Sequence, residues 1–180
     1  MLETTHPELV IEVGTWKGAS AIHMGKLIRE KNWSTKIVCV DTWLGDTDFW
    51  LSPTKKLSLK LTRGHPAIYD QFIFNVIQSG LTDLIIPFPQ TASNAARWFQ
   101  HHRIQADLIY LDAGHQEADV YSDLSHYYPL LRAGGIIFGD DYFPGSEGVV
   151  QAVNRFVSEI KEDFEIHEDQ FWSIRKTLSR

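Results

Sequence analysis

Residues 107–141 begin with DLIYLDAGHQ and end with LLRAGGIIFGDD. Two apolar runs flank a segment of ordinary helical length, and this pattern predicts a parallel strand–helix–strand unit. The first run stops at Asp112 and the second at Asp140 and Asp141, while His115 lies three residues beyond the first acid. Parallel strands end at one edge of a sheet, where ligands bind. We therefore expect the three carboxylates and the imidazole to converge. The carboxylates repel each other, which favours a bound cation or a cationic ligand among them.

The composition is typical of a globular protein. The 180 residues carry a formal net charge of −6 and suit a single domain over residues 1–180. Lys55, Lys56, Lys60 and Arg63 are interpreted as part of a solvated loop, so neither a nucleic-acid face nor a nucleic-acid partner is expected. No apolar stretch approaches the ~20 residues of a membrane span, and the N-terminus lacks the features of a signal peptide. Cys39 lies in an apolar run and is expected to be buried. These features favour a cytoplasmic protein without a membrane partner.

The rest of the chain repeats the alternation of strand and helix. Residues 42–64 show no clear period, which is typical of a functional lid or insertion loop. Two short runs at the C-terminus are close enough to form a hairpin, so one of them must be antiparallel to the other strands. The sum is an open α/β sheet with helices on both faces. Strands are predicted at 9–13, 36–40, 83–88, 107–111, 135–139, 164–167 and 171–175, and helices at 19–31, 66–79, 93–102, 118–131 and 148–161.

The first strand-to-helix turn, residues 11–20, reads IEVGTWKGAS. Gly14 permits a tight turn, and Gly18 allows the backbone to approach a ligand or the next helix. In the dinucleotide pattern G-x-G-x-x-G the second glycine would fall at Trp16, so a diphosphate is disfavoured. Asp41, at the end of the second strand, can accept two hydrogen bonds from a ribose diol. The alternative is that Asp41 only caps the turn that follows it.

The order and spacing of four motifs resemble the class I S-adenosylmethionine-dependent methyltransferases. The motifs are IEVGTWKGAS, VDTWLGD, LIYLDAGHQ and LLRAGGIIFGDDY. The likeness is greatest to metal-dependent small-molecule O-methyltransferases of the catechol and macrolide-sugar types and to the cephalosporin hydroxylase-like group. It implies a Rossmann-like sheet of seven strands, mostly parallel, with an antiparallel strand from the C-terminal hairpin. It also implies S-adenosylmethionine as cofactor and a small-molecule hydroxyl as methyl acceptor.

The resemblance assigns residues to the cofactor. Asp41 would hold the ribose hydroxyls, and backbone near Gly14 would approach the methionine part. The full set implied is Glu12, Gly14, Thr15, Gly18, Ser20, Asp41, Thr42, Trp43, Ser93 and Asp112.

The resemblance also implies a metal site and a base. Asp112, Asp140 and Asp141 match the metal ligands of the catechol-type enzymes, and oxygen ligands favour Mg²⁺. His115 matches the position of the catalytic base, with Asp112 beside it, and its free pKa of ~6.5 suits proton transfer near neutral pH. The alternatives are that the aspartates cap turns and that His115 orients a carboxylate.

Three further points stay open at this stage. A nicotinamide-dependent oxidoreductase and a non-catalytic cofactor-binding module are the alternative functions. Trp43, Leu44, Phe49, Trp50 and Leu51 are candidates for a wall that covers the substrate or the sheet edge. Enzymes that resemble this chain often carry helices before the first strand, which here begins about nine residues from the N-terminus. The acceptor site is therefore expected to be open or completed by a partner, and a homo-oligomer is one alternative.

Overall fold

The computed structural model describes residues 1–177. Seven strands form one sheet: β1 (Leu9–Val13), β2 (Lys36–Asp41), β3 (Ile85–Pro89), β4 (Ala106–Leu111), β5 (Leu131–Gly139), β6 (Asp163–His167) and β7 (Phe171–Arg175). Eight helices accompany it: α1 (Leu2–Thr5), α2 (Ala19–Glu30), α3 (Thr47–Leu51), α4 (Pro53–Lys56), α5 (Ile68–Gln78), α6 (Ala92–His101), α7 (Glu117–Tyr127) and α8 (Glu147–Ile160).

The strand order is β3-β2-β1-β4-β5-β7-β6. Strands β1 to β5 pair in parallel, whereas β7 is antiparallel to β5 and β6 is antiparallel to β7. The seven-stranded Rossmann-like sheet with an antiparallel C-terminal strand is thus confirmed. The chain moves outward from β1 to β3 and then returns to the other side of β1 with β4. This reversal of strand order leaves a crevice beyond the ends of β1 and β4, where ligands bind in open α/β sheets.

Both faces of the sheet are covered, which explains why its central strands read as continuous apolar runs. Val10 belongs to a core with α2 and α5, whereas the next residue, Ile11, points to the other face and belongs to a core with α6, α7 and α8. Cys39 is fully buried in the first core, as expected.

Two boundaries differ from the sequence predictions. Helix α7 ends at Tyr127, and a 3₁₀ turn over Tyr128–Leu130 leads directly into β5, which begins four residues earlier than predicted. Pro129 lacks the N–H that a continuing helix requires, and Leu131 pairs with Ala106 ahead of a register shift. Residues 42–64 are also more regular than predicted, because they contain α3, α4 and a 3₁₀ turn over Leu57–Leu59.

Within residues 1–177, no helix is both long and apolar enough to cross a bilayer.

Candidate active site

A cavity of about 480 Å³ opens at the carboxyl ends of β1, β2, β3 and β4. This volume lies within the range of ~300–1,000 Å³ that is usual for small-molecule sites. Six of the ten residues assigned to the cofactor contribute to its wall. They are Gly14, Thr15, Ser20, Asp41, Thr42 and Asp112, with Trp16, Phe49, Gln90 and His115 beside them, whereas Glu12, Gly18, Trp43 and Ser93 do not line it.

The loop after β1 is held close to the end of β4 by Gly14. This residue has a φ of +82°, and a Cβ added to it would lie 2.0 Å from the backbone oxygen of Asp112. Gly18 lies close to a different group, because a Cβ added to it would be 2.9 Å from Cδ2 of Phe72 in α5. Gly14 therefore shapes the cavity, whereas Gly18 allows α2 to begin against a neighbouring helix.

Glu12 lies beneath the cavity and contacts residues of its wall. Its side chain is fully buried and accepts hydrogen bonds from Oγ1 of Thr15 at 2.5 Å, from the hydroxyl of Ser20, and from Sγ of Cys39 at 3.4 Å. Burial raises the pKa of Glu12 to about 7, although these hydrogen bonds oppose the shift. Glu12 thus orients the two hydroxyl residues, Thr15 and Ser20, that do line the cavity.

Asp41 joins the loops that follow β1 and β2. Its Oδ2 accepts hydrogen bonds from the backbone N–H groups of Thr15 at 2.9 Å and Trp16 at 2.8 Å, and its Oδ1 accepts one from Trp43 at 2.7 Å. Because a carboxylate offers about four acceptor positions, Oδ1 keeps capacity for a ligand hydroxyl. The turn-capping alternative therefore describes Asp41 correctly, but it leaves room for a ligand.

Trp43 and Ser93 lie behind the cavity wall. The Trp43 indole is buried, packs against Phe72, and donates a hydrogen bond to the backbone oxygen of Trp16 at 2.8 Å. Near Ser93, the wall is formed instead by Gln90 and Ala92. Both predicted residues consequently support loops that line the cavity.

An acid centre adjoins the cavity. One potential ligand atom from each of Asp112, His115 and Asp141 lies within 4.8 Å of the other two, and Nε2 of His115 is 2.7 Å from Oδ2 of Asp141. Tyr110 donates a hydrogen bond from its hydroxyl to Oδ2 of Asp112 at 3.0 Å. Burial raises the pKa of Asp112, and the carboxylates of Asp140 and Asp141 add to the increase, whereas the hydrogen bond from Tyr110 opposes it.

Asp140 has a different position from the one that the three-aspartate pattern suggests. It is outside the group of close ligand atoms, and its Oδ1 accepts a hydrogen bond from the backbone N–H of Asp141 at 2.7 Å. Asp141 has a φ of +62°, a left-handed conformation that this bond helps to hold. The structure thus brings together two aspartates and His115, with Asp140 shaping the turn.

The cavity and the acid centre share one wall. A hollow of about 20 Å³ beside the centre is bordered by Asp112, His115, Asp140 and Asp141, and residues 112–115 also line the larger cavity. A ligand in the large cavity is therefore in reach of groups at the acid centre.

Some wall residues had no assigned ligand role in the sequence analysis. Phe49, expected only as a lid candidate, packs against Trp16 with ring centroids 4.4 Å apart, and Gln90 and Asp46 also line the cavity. Gln90 follows β3 directly, so its place at the carboxyl edge was available as a signal. Asp46 and Phe49 lie within residues 42–64, where no periodicity pointed to a structure.

The comparisons with known proteins agree with this geometry. The model of a family described as "Methyltransferase domain" matches residues 11–142, a range that extends from β1 to just beyond the acid centre. The chain belongs to this methyltransferase family. The resemblance to class I S-adenosylmethionine-dependent methyltransferases is thereby confirmed, as is the enzyme class.

Solved structures show the same fold as this methyltransferase. The O-methyltransferase NovP has a TM-score of 0.71 and 17% sequence identity, over 98% of this chain and 75% of NovP. TomG, an O-methyltransferase from Streptomyces achromogenes solved with SAM, has a TM-score of 0.68 and 14% identity, over 98% and 76% of the two chains. A putative rRNA-methylase from Clostridium thermocellum has a TM-score of 0.66 and 14% identity, over 96% and 88%.

A curated relative is more similar over a short stretch. The uncharacterized protein R132 of Acanthamoeba polyphaga mimivirus is 37% identical to the methyltransferase over 57 residues, which cover 31% of this chain and 26% of the viral protein. The match therefore spans about a quarter of that relative's length.

Proposed function

We propose that this methyltransferase moves the methyl group of S-adenosylmethionine to a hydroxyl oxygen of a small molecule, with a divalent cation at the acid centre. The observation that carries the proposal is the wall of residues 112–115, which belongs to both the large cavity and the acid centre. A methyl donor in the cavity and a hydroxyl group at the acid centre would both contact residues 112–115 and would therefore be neighbours. Holding two reactants together supplies much of the rate enhancement of such reactions.

The volume and the polar groups of the cavity suit S-adenosylmethionine. Asp41 keeps acceptor capacity on Oδ1 for a ribose hydroxyl, and Thr15 and Ser20 present hydroxyl groups that Glu12 orients. The acids near the cavity suit the positive charges of a sulfonium and an amine, because opposite charges stabilise each other in a partly buried site.

The acid centre fits a divalent cation. Asp112 and Asp141 supply carboxylate oxygens, the ligands that Mg²⁺ prefers. The carboxylate of Asp140 holds Asp141 in place by accepting a hydrogen bond from its backbone N–H. When bound, such a cation lowers the pKa of a coordinated hydroxyl. Oxygen ligation leaves the imidazole of His115 for proton transfer.

His115 is the proposed base. Its side chain is 45% exposed and lies 2.7 Å from Asp141, so it can accept the proton of the acceptor hydroxyl and release it to solvent. The acceptor oxygen then forms a bond to the methyl carbon while the carbon–sulfur bond breaks and the sulfur keeps the electron pair. Asp112 would lie beside the reacting oxygen.

Residues 42–64 are proposed as a lid within a single methyltransferase domain of residues 1–180. Phe49 from this segment stacks on Trp16 and lines the cavity, and Trp43 anchors the start of the segment in the core. The lid would thus cover the cofactor rather than only the sheet edge.

The proposal is tested by two binding measurements that need no knowledge of the acceptor. Titration with Mn²⁺, followed by electron paramagnetic resonance, should show a site that Asp112→Asn and Asp141→Asn each weaken at least about tenfold, because each removes a charged ligand. Binding of S-adenosylhomocysteine, followed by calorimetry, should persist in Asp141→Asn.

The matched control is Asp169→Asn, which removes an exposed carboxylate in the β6–β7 turn and should leave both titrations unchanged. Failure of the wild-type chain to bind S-adenosylhomocysteine would overturn the methyl-transfer proposal. Mn²⁺ binding that is equal in all variants would overturn the metal site alone.

A further inference from the structure

The lid region has an unusual charge. Residues 49–69 contain no Asp or Glu, although they include Lys55, Lys56, Lys60 and Arg63, and the whole chain has a net charge of −6. Lys55 lies 3.5 Å from Oδ2 of Asp48, whereas the other three cations form no ion pair with the side chains that the structure describes. The positive charge of this region is thus concentrated and mostly uncompensated.

Large apolar side chains are exposed between these cations. Leu51 is 76% exposed, Leu57 is 79% exposed, and Trp50 and Leu61 are each 39% exposed. A single exposed leucine is common on a protein surface, but several within 12 residues form a feature typical of interaction sites. We call Trp50, Leu51, Lys55, Lys56, Leu57, Lys60, Leu61 and Arg63 the docking face.

Apolar and cationic groups of the docking face are in contact. The Nζ atom of Lys56 lies 5.2 Å from the centre of the Trp50 ring, which is within the distance of a cation–π interaction. Long Lys and Arg side chains next to exposed Trp and Leu are the composition of protein surfaces that lie in the headgroup region of a bilayer. There the leucines leave water, while the ammonium groups meet lipid phosphates.

We propose that the docking face binds the surface of a bilayer that contains anionic lipids. Charge complementarity selects this occupant, because the docking face carries four cations and no acid, whereas the whole chain has a net charge of −6. Binding at the surface needs no membrane-spanning helix. The exposure of the leucines among the four cations distinguishes this segment from the solvated loop that its sequence suggested.

Docking would also place the cavity near the lipid. The docking face follows Phe49 directly in the chain, and Phe49 lines the cavity and stacks on Trp16. The lid would therefore lie between the bilayer and the cavity. The position of the lid would then depend on whether the membrane is bound.

Sedimentation of the full chain with vesicles tests the proposal. Binding is expected to vesicles of phosphatidylcholine mixed with phosphatidylglycerol and to be lost in about 1 M salt, where the Debye length is only about 3 Å. The double variant Lys56→Gln/Lys60→Gln should bind roughly 30-fold more weakly, since each cation contributes about 1 kcal/mol near an anionic surface and 1.4 kcal/mol is a factor of ten. Leu51→Ser/Leu57→Ser should weaken binding at least about tenfold at unchanged charge.

Two control variants match these changes elsewhere on the surface. Lys26→Gln/Arg97→Gln removes the same charge from α2 and α6, and Ile86→Ser/Ile166→Ser removes exposed apolar side chains from β3 and β6. Both controls should bind like the wild type, and circular dichroism of every variant checks folding. The proposal is overturned if the wild type does not bind at low salt, or if the controls lose as much affinity as the docking-face variants. It is also overturned if soluble polyglutamate binds as well as the vesicles and the leucine variant retains that binding, a result that would indicate an acidic protein partner.

Discussion

At the scale of single residues, Glu12 shows how the interior of the methyltransferase tolerates an acid. Three hydrogen-bond donors surround the carboxylate, yet burial dominates and raises its pKa from 4.5 to about 7. A raised pKa means that the folded state prefers the protonated acid. Stability from this group is therefore fully present below pH 4.5 and is lost as the pH rises through about 7.

The variant Glu12→Gln removes this ionisable group and keeps its shape. The variant should gain stability relative to the wild type as the pH rises. The difference between their free energies of unfolding should grow by roughly 3 kcal/mol from pH 4.5 to pH 8, because a shift of one pKa unit corresponds to about 1.4 kcal/mol. Urea unfolding at a series of pH values measures this difference. Glu168→Gln, at an exposed position in the β6–β7 turn, should show no such slope, and a flat difference for Glu12→Gln would contradict the assignment.

At the scale of single elements, α6 shows how a local signal sets the position of a site. Thr91 immediately precedes α6 and caps it, because its Oγ1 accepts a hydrogen bond from the backbone N–H of Asn94 at 3.2 Å. The residues on either side of this cap, Gln90 and Ala92, line the cavity. The start of α6 and the edge of the cavity are thus set together.

Thr91→Ala should destabilise the protein by about 1 kcal/mol, because the first turn of α6 loses its side-chain acceptor. Thr91→Ser should keep most of the stability, and Ser93→Ala should change it little. Thermal unfolding measures the series, with an expected decrease of about 2–4 °C in Tm for Thr91→Ala. Equal losses at positions 91 and 93 would show that the cap is shared.

At the scale of the whole molecule, Gly139 is the point where β4, β5 and β7 meet. A Cβ at this position would lie 2.4 Å from Cζ2 of Trp172 in β7 and 2.7 Å from the backbone oxygen of Leu111 in β4. The Trp172 indole is buried in the core that α7 and α8 share with the sheet. The antiparallel strand from the C-terminus can therefore pack closely beside the acid centre only because Gly139 has no side chain.

Gly139→Ala should destabilise the protein by about 1–3 kcal/mol, since a close-packed core has no room for another methyl group. The double variant Gly139→Ala/Trp172→Leu should recover part of that loss relative to Trp172→Leu alone, because the smaller side chain leaves space for the new methyl group. Chemical denaturation of the four proteins of this cycle measures the coupling energy. Additive effects would contradict the packing argument.

The pattern of residues along the chain is enough to predict the helices, the strands and the edge of the sheet where the site lies. Apolar runs that end on Asp41, Asp112 and Asp140 mark buried parallel strands, and the period of two and the period of 3.6 residues are properties of the local chain. The resemblance carried by the four motifs then indicated the family, which the comparisons confirm.

Which side chains meet depends instead on the three-dimensional fold. It placed His115 beside Asp141, turned Asp140 to the backbone, and put Phe49 rather than Trp43 in the cavity wall. It also showed that leucines of the lid remain exposed among the cations. These outcomes depend on the left-handed backbone at Asp141 and on contacts between residues far apart in the chain, and no local period carries that information.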